Sequence, residues 1–199
     1  MKKTAKKFDR KTRRAQIVQV ALRIIGSRGM GALTTAAIAK EVGISEANLY
    51  RHFENKEEIL NAMTEEIGAG LEENLKAVTA GSPVARLKKI YKLHLEYIEK
   101  NDGIPRLVFS EQLHMRQPHI RKKLLEKISA YSRKLSEIIK EGQERGLIKK
   151  GLNPHAASMI LIGMVQITTL KWSLSGFSFT LVDEGMKLWK DYEKCLKKD

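Results

Sequence analysis

The chain has 199 residues, which is enough to bury a substantial hydrophobic core in one domain or in two small ones. Lysine and arginine number 37 against 23 acidic residues, so the formal net charge is +14. The single cysteine, Cys195, excludes an intramolecular disulfide framework, which favours a reducing compartment and predicts a cytoplasmic protein. The first apolar stretch is interrupted by Gln19 and Arg23 and is not expected to be a secretory signal.

Half of the net charge lies in the first 14 residues, which carry eight basic side chains against one acid, Asp9. A segment with so much like charge and so little to bury is expected to be disordered and to attract polyanions. Residues 1–9 are therefore predicted to form a basic arm. A solubilising tail and an arm that contacts nucleic acid are both open interpretations at this point.

Apolar residues recur at helical spacing along almost the whole chain, which predicts an all-α protein of about nine helices. The first helix is expected to end near residues 26–29, where two glycines occur. Thr34 can cap a short second helix, Gly43 can end it, and Ser45 can cap a third. These local signals place three short helices in the first quarter of the chain.

Capping residues and prolines predict where the following helices begin. Asn55 and Glu58 resemble a capping box that opens a fourth helix toward Ala80. Pro83 can begin a fifth helix, which the sequence NDG at 101–103 is expected to end. First-turn prolines predict further helices at Pro105, Pro118 and Pro154, and a last helix follows residues 175–178.

The most membrane-like segment spans residues 156–170. It is shorter than the roughly 20 apolar residues that cross a bilayer. It also contains Gln166 and leads directly into Lys171. We therefore expect a buried helix here and no membrane partner.

The second and third predicted helices form a helix-turn-helix pattern at about residues 33–52. Ala39 is small enough for close helix packing, and Gly43 permits a turn with positive φ. Ile38, Ile44 and Leu49 can pack inward, which leaves polar residues of the third helix to face outward. In such a motif the second helix enters the major groove of DNA, so DNA binding is predicted.

Residues 14–60 resemble the N-terminal domain of the TetR (tetracycline repressor) family of bacterial transcription regulators. The resemblance rests on Ala21, Gly29, Thr34, Ile38, Ala39, Gly43, Ile44, Ser45, Leu49, Tyr50, His52, Phe53, Lys56, Glu57, Glu58 and Leu60. Residues 80–199 match the family only in general layout. The resemblance implies a DNA-binding domain at 10–56 and a helical effector-binding and dimerisation domain at 57–199.

The resemblance also implies which side chains face the DNA. These are Thr34, Thr35, Ser45, Glu46, Ala47, Asn48, Tyr50, Arg51, His52 and Lys56. Tyr50 and Lys56 are expected to hold one phosphate, and Asn48 can read adenine. Phe53 is expected in the core, and a packing role stays open for Tyr50 and His52.

Three positions depart from the family pattern. Ala36 and Ala37 stand where a basic and an acidic residue are frequent, which weakens the expected grip on the DNA backbone. Glu46 stands where lysine is frequent, so it places a negative charge near a polyanion. It can accept a hydrogen bond from a cytosine amino group or face solvent. The operator sequence does not follow from these side chains.

A single helix-turn-helix makes few contacts, so a symmetric homodimer that binds two half-sites is expected. The resemblance implies that the last two helices of each subunit form a four-helix bundle. The predicted interface residues are Met159, Gly163, Ile167, Leu181, Gly185, Leu188 and Trp189. The alternative is that both helices only fill the core of their own subunit.

An effector cavity is expected between the DNA-binding domain and these last helices. Its predicted lining is Tyr91, His94, Leu95, Ile98, Leu107, Val108, Glu111, Ile128, Tyr131 and Gln166. A mostly apolar cavity with a few polar groups is typical of small-molecule sites. Each polar residue taken alone can equally be an ordinary hydrogen-bonded or exposed side chain.

These features predict a ligand-responsive repressor that leaves a palindromic operator when it binds an apolar or amphipathic molecule. No metal or other cofactor is expected. One alternative is a metal-dependent helical enzyme, because Glu111 and His114 form a Glu-x-x-His pair, although a second pair is missing. Another alternative is a nonspecific nucleoid-type DNA binder, which the basic arm would suit.

Overall fold

The computed structural model describes residues 9–197, so the predicted arm at residues 1–9 lies outside the described part except for Asp9. Within residues 9–197 there are ten α-helices, a short 3₁₀ helix at Met30–Ala32 and no strand. The helices are α1 Arg10–Arg28, α2 Thr35–Val42, α3 Glu46–Tyr50, α4 Lys56–Lys76, α5 Pro83–Glu99, α6 Gly103–Val108, α7 Glu111–Arg116, α8 Pro118–Glu144, α9 Pro154–Leu174 and α10 Leu181–Leu196. The predicted all-α class is confirmed.

The helix ends in the first part of the chain follow the local sequence signals. The Thr34 hydroxyl accepts the Ala37 amide at 3.0 Å, and the Ser45 hydroxyl accepts the Asn48 amide at 3.2 Å. Gly43 ends α2 with φ 75° and ψ 37°, which is the left-handed conformation that glycine adopts without strain. These short helices are therefore delimited by the residues that the sequence offered as caps.

Two boundaries differ from the prediction. The fourth helix ends at Lys76, one turn before Ala80. The predicted sixth helix is two helices, because the chain turns at Phe109 and the Ser110 hydroxyl caps α7 by accepting the Leu113 amide at 3.2 Å. This division raises the number of helices to ten.

The buried side chains form two clusters. The first joins α1–α4 to Ile104 and Leu107 of α6, Leu113 of α7 and Ile120 of α8. The second lies among α5, α8, α9 and α10 and contains Trp189 with no exposed surface. Helix α4 packs against α1 at one end and against α5 and α8 further along, so it belongs to both halves of the molecule.

In the second cluster, side chains of α5 form hydrogen bonds with the backbone of α10. A carboxylate oxygen of Glu99, at the end of α5, accepts the Leu181 amide at 2.6 Å and thereby caps α10. The Tyr91 hydroxyl donates to the Gly185 carbonyl at 3.0 Å. Buried polar atoms are thus paired at the point where α5 crosses α10.

Helix α6 lies directly on the backbone of α1. A Cβ atom added at Gly103 would come within 2.1 Å of the Leu22 carbonyl oxygen. This distance is far below a van der Waals contact, and the obstacle is backbone that cannot rotate away. Gly103 is therefore the residue that lets α6 approach the backbone of α1.

Replacing Gly103 by alanine is expected to separate α6 from α1 and to lower the free energy of unfolding by about 1–3 kcal/mol. The measurement is urea unfolding followed by circular dichroism at fixed protein concentration. Gly31→Ala is the matched control, because a Cβ atom there meets nothing within 4 Å, and it should change stability by less than about 0.5 kcal/mol. Equal stabilities of the two variants would contradict this account of the contact.

Candidate nucleic-acid interface and ligand cavity

One exposed face of α2 and α3 carries a connected polar cluster. The Thr35 hydroxyl donates to a carboxylate oxygen of Glu46 at 2.9 Å. The Tyr50 hydroxyl lies 3.5 Å from the Thr35 oxygen, and 49% of the Tyr50 surface is exposed. Glu46 is therefore not free in solvent, because a hydroxyl of the preceding helix holds its carboxylate.

The other predicted DNA-contact residues lie around this cluster. Exposed side chains belong to Thr34, Ser45, Ala47, Arg51 and Lys56, whereas Asn48 and His52 are half-buried. Lys56 is the first residue of α4, where the Asn55 side chain accepts the Glu58 amide at 2.9 Å. The free amides and the positive end of the helix dipole at such an N-terminus suit a phosphate. The arrangement can hold the DNA backbone beside the exposed face of α3.

Arg14 holds the end of α3 against α1 and α4. Its guanidinium donates to the His52 carbonyl oxygen, forms an ion pair with Glu58 at 2.8 Å and lies 3.9 Å from the centre of the Phe53 ring. Glu58 in turn accepts the Glu54 amide at 2.6 Å. Sequence reasoning missed Arg14, because a basic residue in a basic segment gives no local sign of a structural role.

His52 is directed toward the start of α1 and its arginines. Burial, followed by the charges of Arg13, Arg10 and Arg14, lowers the pKa of His52 below its ordinary value. The ring is therefore neutral near pH 7 and contributes no positive charge for a phosphate. Its buried Nδ1 atom has no hydrogen-bond partner within the described residues. These features favour a packing role for His52.

An apolar cavity lies behind the DNA-binding face, between α4, α5, α6, α8 and α9. It is narrow, and its empty volume is about 740 Å³ when open solvent at its mouth is included. Six of the ten predicted ligand residues line it, namely His94, Ile98, Val108, Ile128, Tyr131 and Gln166. Burial lowers the pKa of His94 to about 4, so its ring is neutral near pH 7 and stacks edge-on against Tyr131.

The remaining four predicted ligand residues do not line this cavity. Tyr91 is turned toward α10 through its bond to the Gly185 carbonyl, and Leu95 packs beneath the same glycine. Leu107 belongs to the core shared with α1, and Glu111 is exposed on the separate helix α7. The four residues lie outside the cavity because α5 packs against α10 as well as facing the cavity, because Leu107 faces α1, and because the chain turns at Phe109 before Glu111.

The cavity also has lining residues that sequence reasoning did not find. Thr64 and Gly68 come from α4, Lys127 comes from α8 and Thr169 comes from α9. Thr169 is only 3% exposed, and its hydroxyl has no hydrogen-bond partner within the described residues. A buried, unpaired hydroxyl at an empty cavity is a ready anchor for a polar atom of a ligand.

The predicted dimer residues divide into two groups. Met159, Ile167 and Leu188 are exposed apolar side chains, and Gly163 on α9 has open space beside it. Leu181, Gly185 and Trp189 are instead buried inside their own subunit. These three residues follow the alternative of a core position, since the apolar stripe of α10 faces α5 and α9 of the same chain.

Helix α9 is the one described helix that is long and apolar enough to cross a membrane by length and composition, and 44% of its most apolar window is buried. Core helices can meet the same criterion, and α9 packs against both α8 and α10. Its exposed apolar residues include Met159, Ile160, Ile167 and Leu174. They form a face that the rest of the subunit leaves uncovered.

The Glu-x-x-His pair of the alternative enzyme interpretation lies outside the cavity. Glu111 is exposed, and no group of three or more potential metal-ligating side chains occurs among residues 9–197. The arrangement of side chains thus offers a DNA-facing surface and an apolar cavity as its two chemical features.

The helix-turn-helix joined to a helical domain with an internal cavity defines a class of DNA-binding transcription regulators. Residues 17–63 match the family model described as bacterial regulatory proteins of the tetR family. Residues 80–173 match a tetracyclin repressor-like C-terminal domain. The chain therefore belongs to the tetR family of bacterial regulatory proteins.

Individual relatives cover most of the chain. It is 32% identical to the nucleoid occlusion factor SlmA of Marinomonas sp. strain MWYL1 over 75% of its length and 73% of the relative's. It is 28% identical to the fatty acid metabolism regulator protein of Bacillus subtilis over 84% of its length and 87% of the relative's. The crystal structure of Bacillus subtilis FadR with stearoyl-CoA has a TM-score of 0.76 at 24% identity, covering 91% of this chain and 98% of that one.

The side chains of Tyr50 and Lys56 are expected to bind phosphate, so Tyr50→Phe and Lys56→Ala should weaken binding to all duplexes alike. The expected loss is roughly 1–2 kcal/mol for each variant, and loss of the lysine should reduce the salt dependence by about one unit. Fluorescence anisotropy with several duplexes at several salt concentrations measures both effects. Lys40→Ala, an exposed lysine in the last turn of α2, is the control. Unaltered affinity in both variants would refute the phosphate contacts.

Proposed function

We propose that this protein is a cytoplasmic, ligand-responsive repressor that leaves a palindromic operator when an amphipathic molecule occupies the cavity behind its DNA-binding face. Residues 10–56 would read the operator, and residues 57–199 would bind the effector and pair the subunits. It is proposed to act by binding alone, with no catalytic step and no cofactor. Asn48 and Glu46 are the proposed base-reading residues on α3.

The observation that carries this proposal is the position of α4. Lys56 begins this helix at the proposed phosphate site, and Thr64, Ile67, Gly68 and Leu71 further along the same helix line the cavity. A ligand that prefers a different position of α4 therefore shifts the spacing of the two recognition helices. A preference of about 3 kcal/mol would lower operator affinity more than a hundredfold.

The relatives favour an acyl chain as the apolar part of the ligand. The 28% identical relative is named a fatty acid metabolism regulator, and the solved FadR structure holds stearoyl-CoA. The lining of the present cavity is almost entirely apolar, which suits a hydrocarbon chain. We extend the acyl ligand class to this chain on these two grounds.

A second candidate function comes from the nucleoid occlusion factor, to which this chain is 32% identical. A protein of that kind would need many sites along the chromosome and would not depend on an acyl ligand. Selection of bound sequences from a random duplex library distinguishes the two. A repressor should yield a site that lies beside a small number of genes, whereas a nucleoid factor should yield a site that recurs throughout the genome.

We propose that the exposed apolar face of α9, together with Leu188 of α10, pairs two subunits. An apolar face of this kind is unfavourable in water, and a second copy covers it with an identical face. The small residue Gly163 lies in the same helix, and a Cβ atom added there would meet nothing within 4 Å, so two α9 helices can approach closely there. The two α3 helices can then reach half-sites about 34 Å apart.

A charge placed in this interface should separate the subunits. Ile167 is 58% exposed, so Ile167→Glu should leave each subunit folded but give a monomer that has lost at least about tenfold in operator affinity. Sedimentation equilibrium and anisotropy measure the two effects. Leu125→Glu is the matched control, because Leu125 is a similarly exposed apolar residue (64%) on a different helix, α8. An intact dimer of Ile167→Glu would refute the interface.

Filling the cavity should block the ligand response. Ile128→Trp places an indole among the lining residues and should raise the stearoyl-CoA concentration that releases operator DNA by about tenfold or more. Ser129→Trp, on the neighbouring exposed position of α8, should respond like the wild type. Both variants should keep operator affinity without ligand. Equal release from wild type and Ile128→Trp would show that the effector site lies elsewhere.

A further inference from the structure

Lys127 stands between the apolar cavity and a wider open cleft. It lines both spaces, as do Gly68, Leu71 and Tyr131, so the lysine lies where the cavity adjoins the cleft. The cleft lies between α4 and α8, and its lining carries charged side chains of both signs, namely Glu72, Lys76, Glu126, Arg133, Lys134 and Glu137. The Lys127 side chain is therefore within reach of a molecule that extends from the cavity into the cleft.

The path of Lys127 depends on the absence of a side chain at Gly68. A Cβ atom added there would lie 2.5 Å from Cδ and 2.7 Å from Nζ of Lys127. The lysine stem therefore lies across the backbone of α4. Because of this path, a side chain that begins on α8 passes Gly68 beside the cavity and reaches Glu65, which lies one turn earlier on the same face of α4.

On α4 the lysine meets Glu65, which is shared by two ammonium groups. Lys127 Nζ lies 2.8 Å from one carboxylate oxygen, and Lys123 Nζ lies 3.4 Å from the other. The hydrogen bond from Lys127 is the largest cause that holds the pKa of Glu65 below its ordinary value. If Lys127 moves to another anion, Glu65 retains Lys123, so no carboxylate is left without a counter-charge.

The cavity interior is suited to an uncharged chain. Its polar groups are neutral, since burial keeps His94 unprotonated and the Thr169 hydroxyl is buried without a partner. A charge inside would lose its hydration with no ion of opposite sign to replace it. Where the cavity adjoins the cleft, the Lys127 side chain is 28% exposed, and its ammonium can pair with an anion.

We infer that Lys127 is the switch residue of the proposed effector site, and that an anionic head group on an apolar chain replaces Glu65 as its partner. The inference rests on the proposed function, since it assumes an effector in this cavity. The exchange breaks one of the two ion pairs that Glu65 makes with lysines of α8 and leaves Glu65 with Lys123, one turn closer to the start of α8. The ligand thereby changes the contact of the helix that begins at the DNA phosphate.

Direct binding to the full-length protein tests this inference. Decanoate, decanoyl-coenzyme A and 1-decanol have equal chains but differ in the head group, and calorimetry gives the affinity of each. The wild type should bind decanoate or decanoyl-coenzyme A about five- to tenfold more tightly than decanol. If decanoate has the larger preference over decanol, the head group is a carboxylate on the chain. If decanoyl-coenzyme A has the larger preference, the head group is a phosphate carried beyond the chain. Lys127→Met should lose that preference and still bind decanol.

Two further variants make the result specific. Lys122→Met removes an exposed lysine of the same helix and should keep the wild-type preference. Glu65→Gln removes the competing anion, so it should bind the preferred anionic probe several-fold more tightly than the wild type. Equal affinity of all three probes for the wild type, or an unchanged preference in Lys127→Met, would overturn the switch while leaving the cavity as an effector site. Failure of every probe to bind the wild type would overturn the effector site itself and the switch with it.

Discussion

A helix of five residues is not stable in isolation, and the DNA-facing surface depends on the contacts that hold α3 in place. Ser45 caps its first turn, and Leu49 buries its whole side chain beneath it. Beyond its last turn, Phe53 is 1% exposed under the Arg14 guanidinium. With so few backbone hydrogen bonds of its own, α3 takes its orientation from α2, against which it packs, and from α1 and α4 through Arg14 and Phe53. The orientation of α3 therefore changes when those helices move.

Arg14 is the residue that links α3 to α1 and α4. One guanidinium contacts the carbonyl oxygen that follows α3, the aromatic ring that anchors it and the Glu58 carboxylate in the first turn of α4. The ion pair with Glu58 is one-third exposed, so its charge attraction alone contributes little. Its effect is geometric, because three segments share one rigid planar group. A displacement of α4 reaches α3 through this group as well as through the shared core.

The caps and turns could be predicted because each depends on residues a few positions apart. Thr34, Ser45 and Asn55 each accept an amide three residues later, and Gly43 takes the positive φ that its position requires. The cavity was located by region but not by every residue. Periodicity shows which positions share a face of a helix, whereas the neighbour of that face is set by packing over long distances.

The helix α10 illustrates this limit. Its apolar stripe was visible in the sequence, yet an apolar stripe is equally suited to the core of its own subunit and to a partner. Trp189 and Leu181 lie in the core of their own subunit, and the exposed apolar surface is mainly on α9. Helix α9 is apolar nearly all round, so its periodicity does not indicate which of its faces is exposed.

Glycines inside helices are the feature whose meaning only the structure supplies. Such a glycine destabilises a helix by about 0.5–1 kcal/mol relative to alanine, so its presence calls for a local reason. At Gly185 a Cβ atom would lie 2.4 Å from Leu95, and at Gly68 it would lie 2.5 Å from Lys127. The first glycine lets α5 approach α10, and the second lets a lysine cross α4 beside the cavity. In both cases the side chain that needs the space belongs to another helix far along the chain, so no local sequence pattern indicates it. For the same reason the ion pair between Lys127 and Glu65 could not be predicted from the sequence.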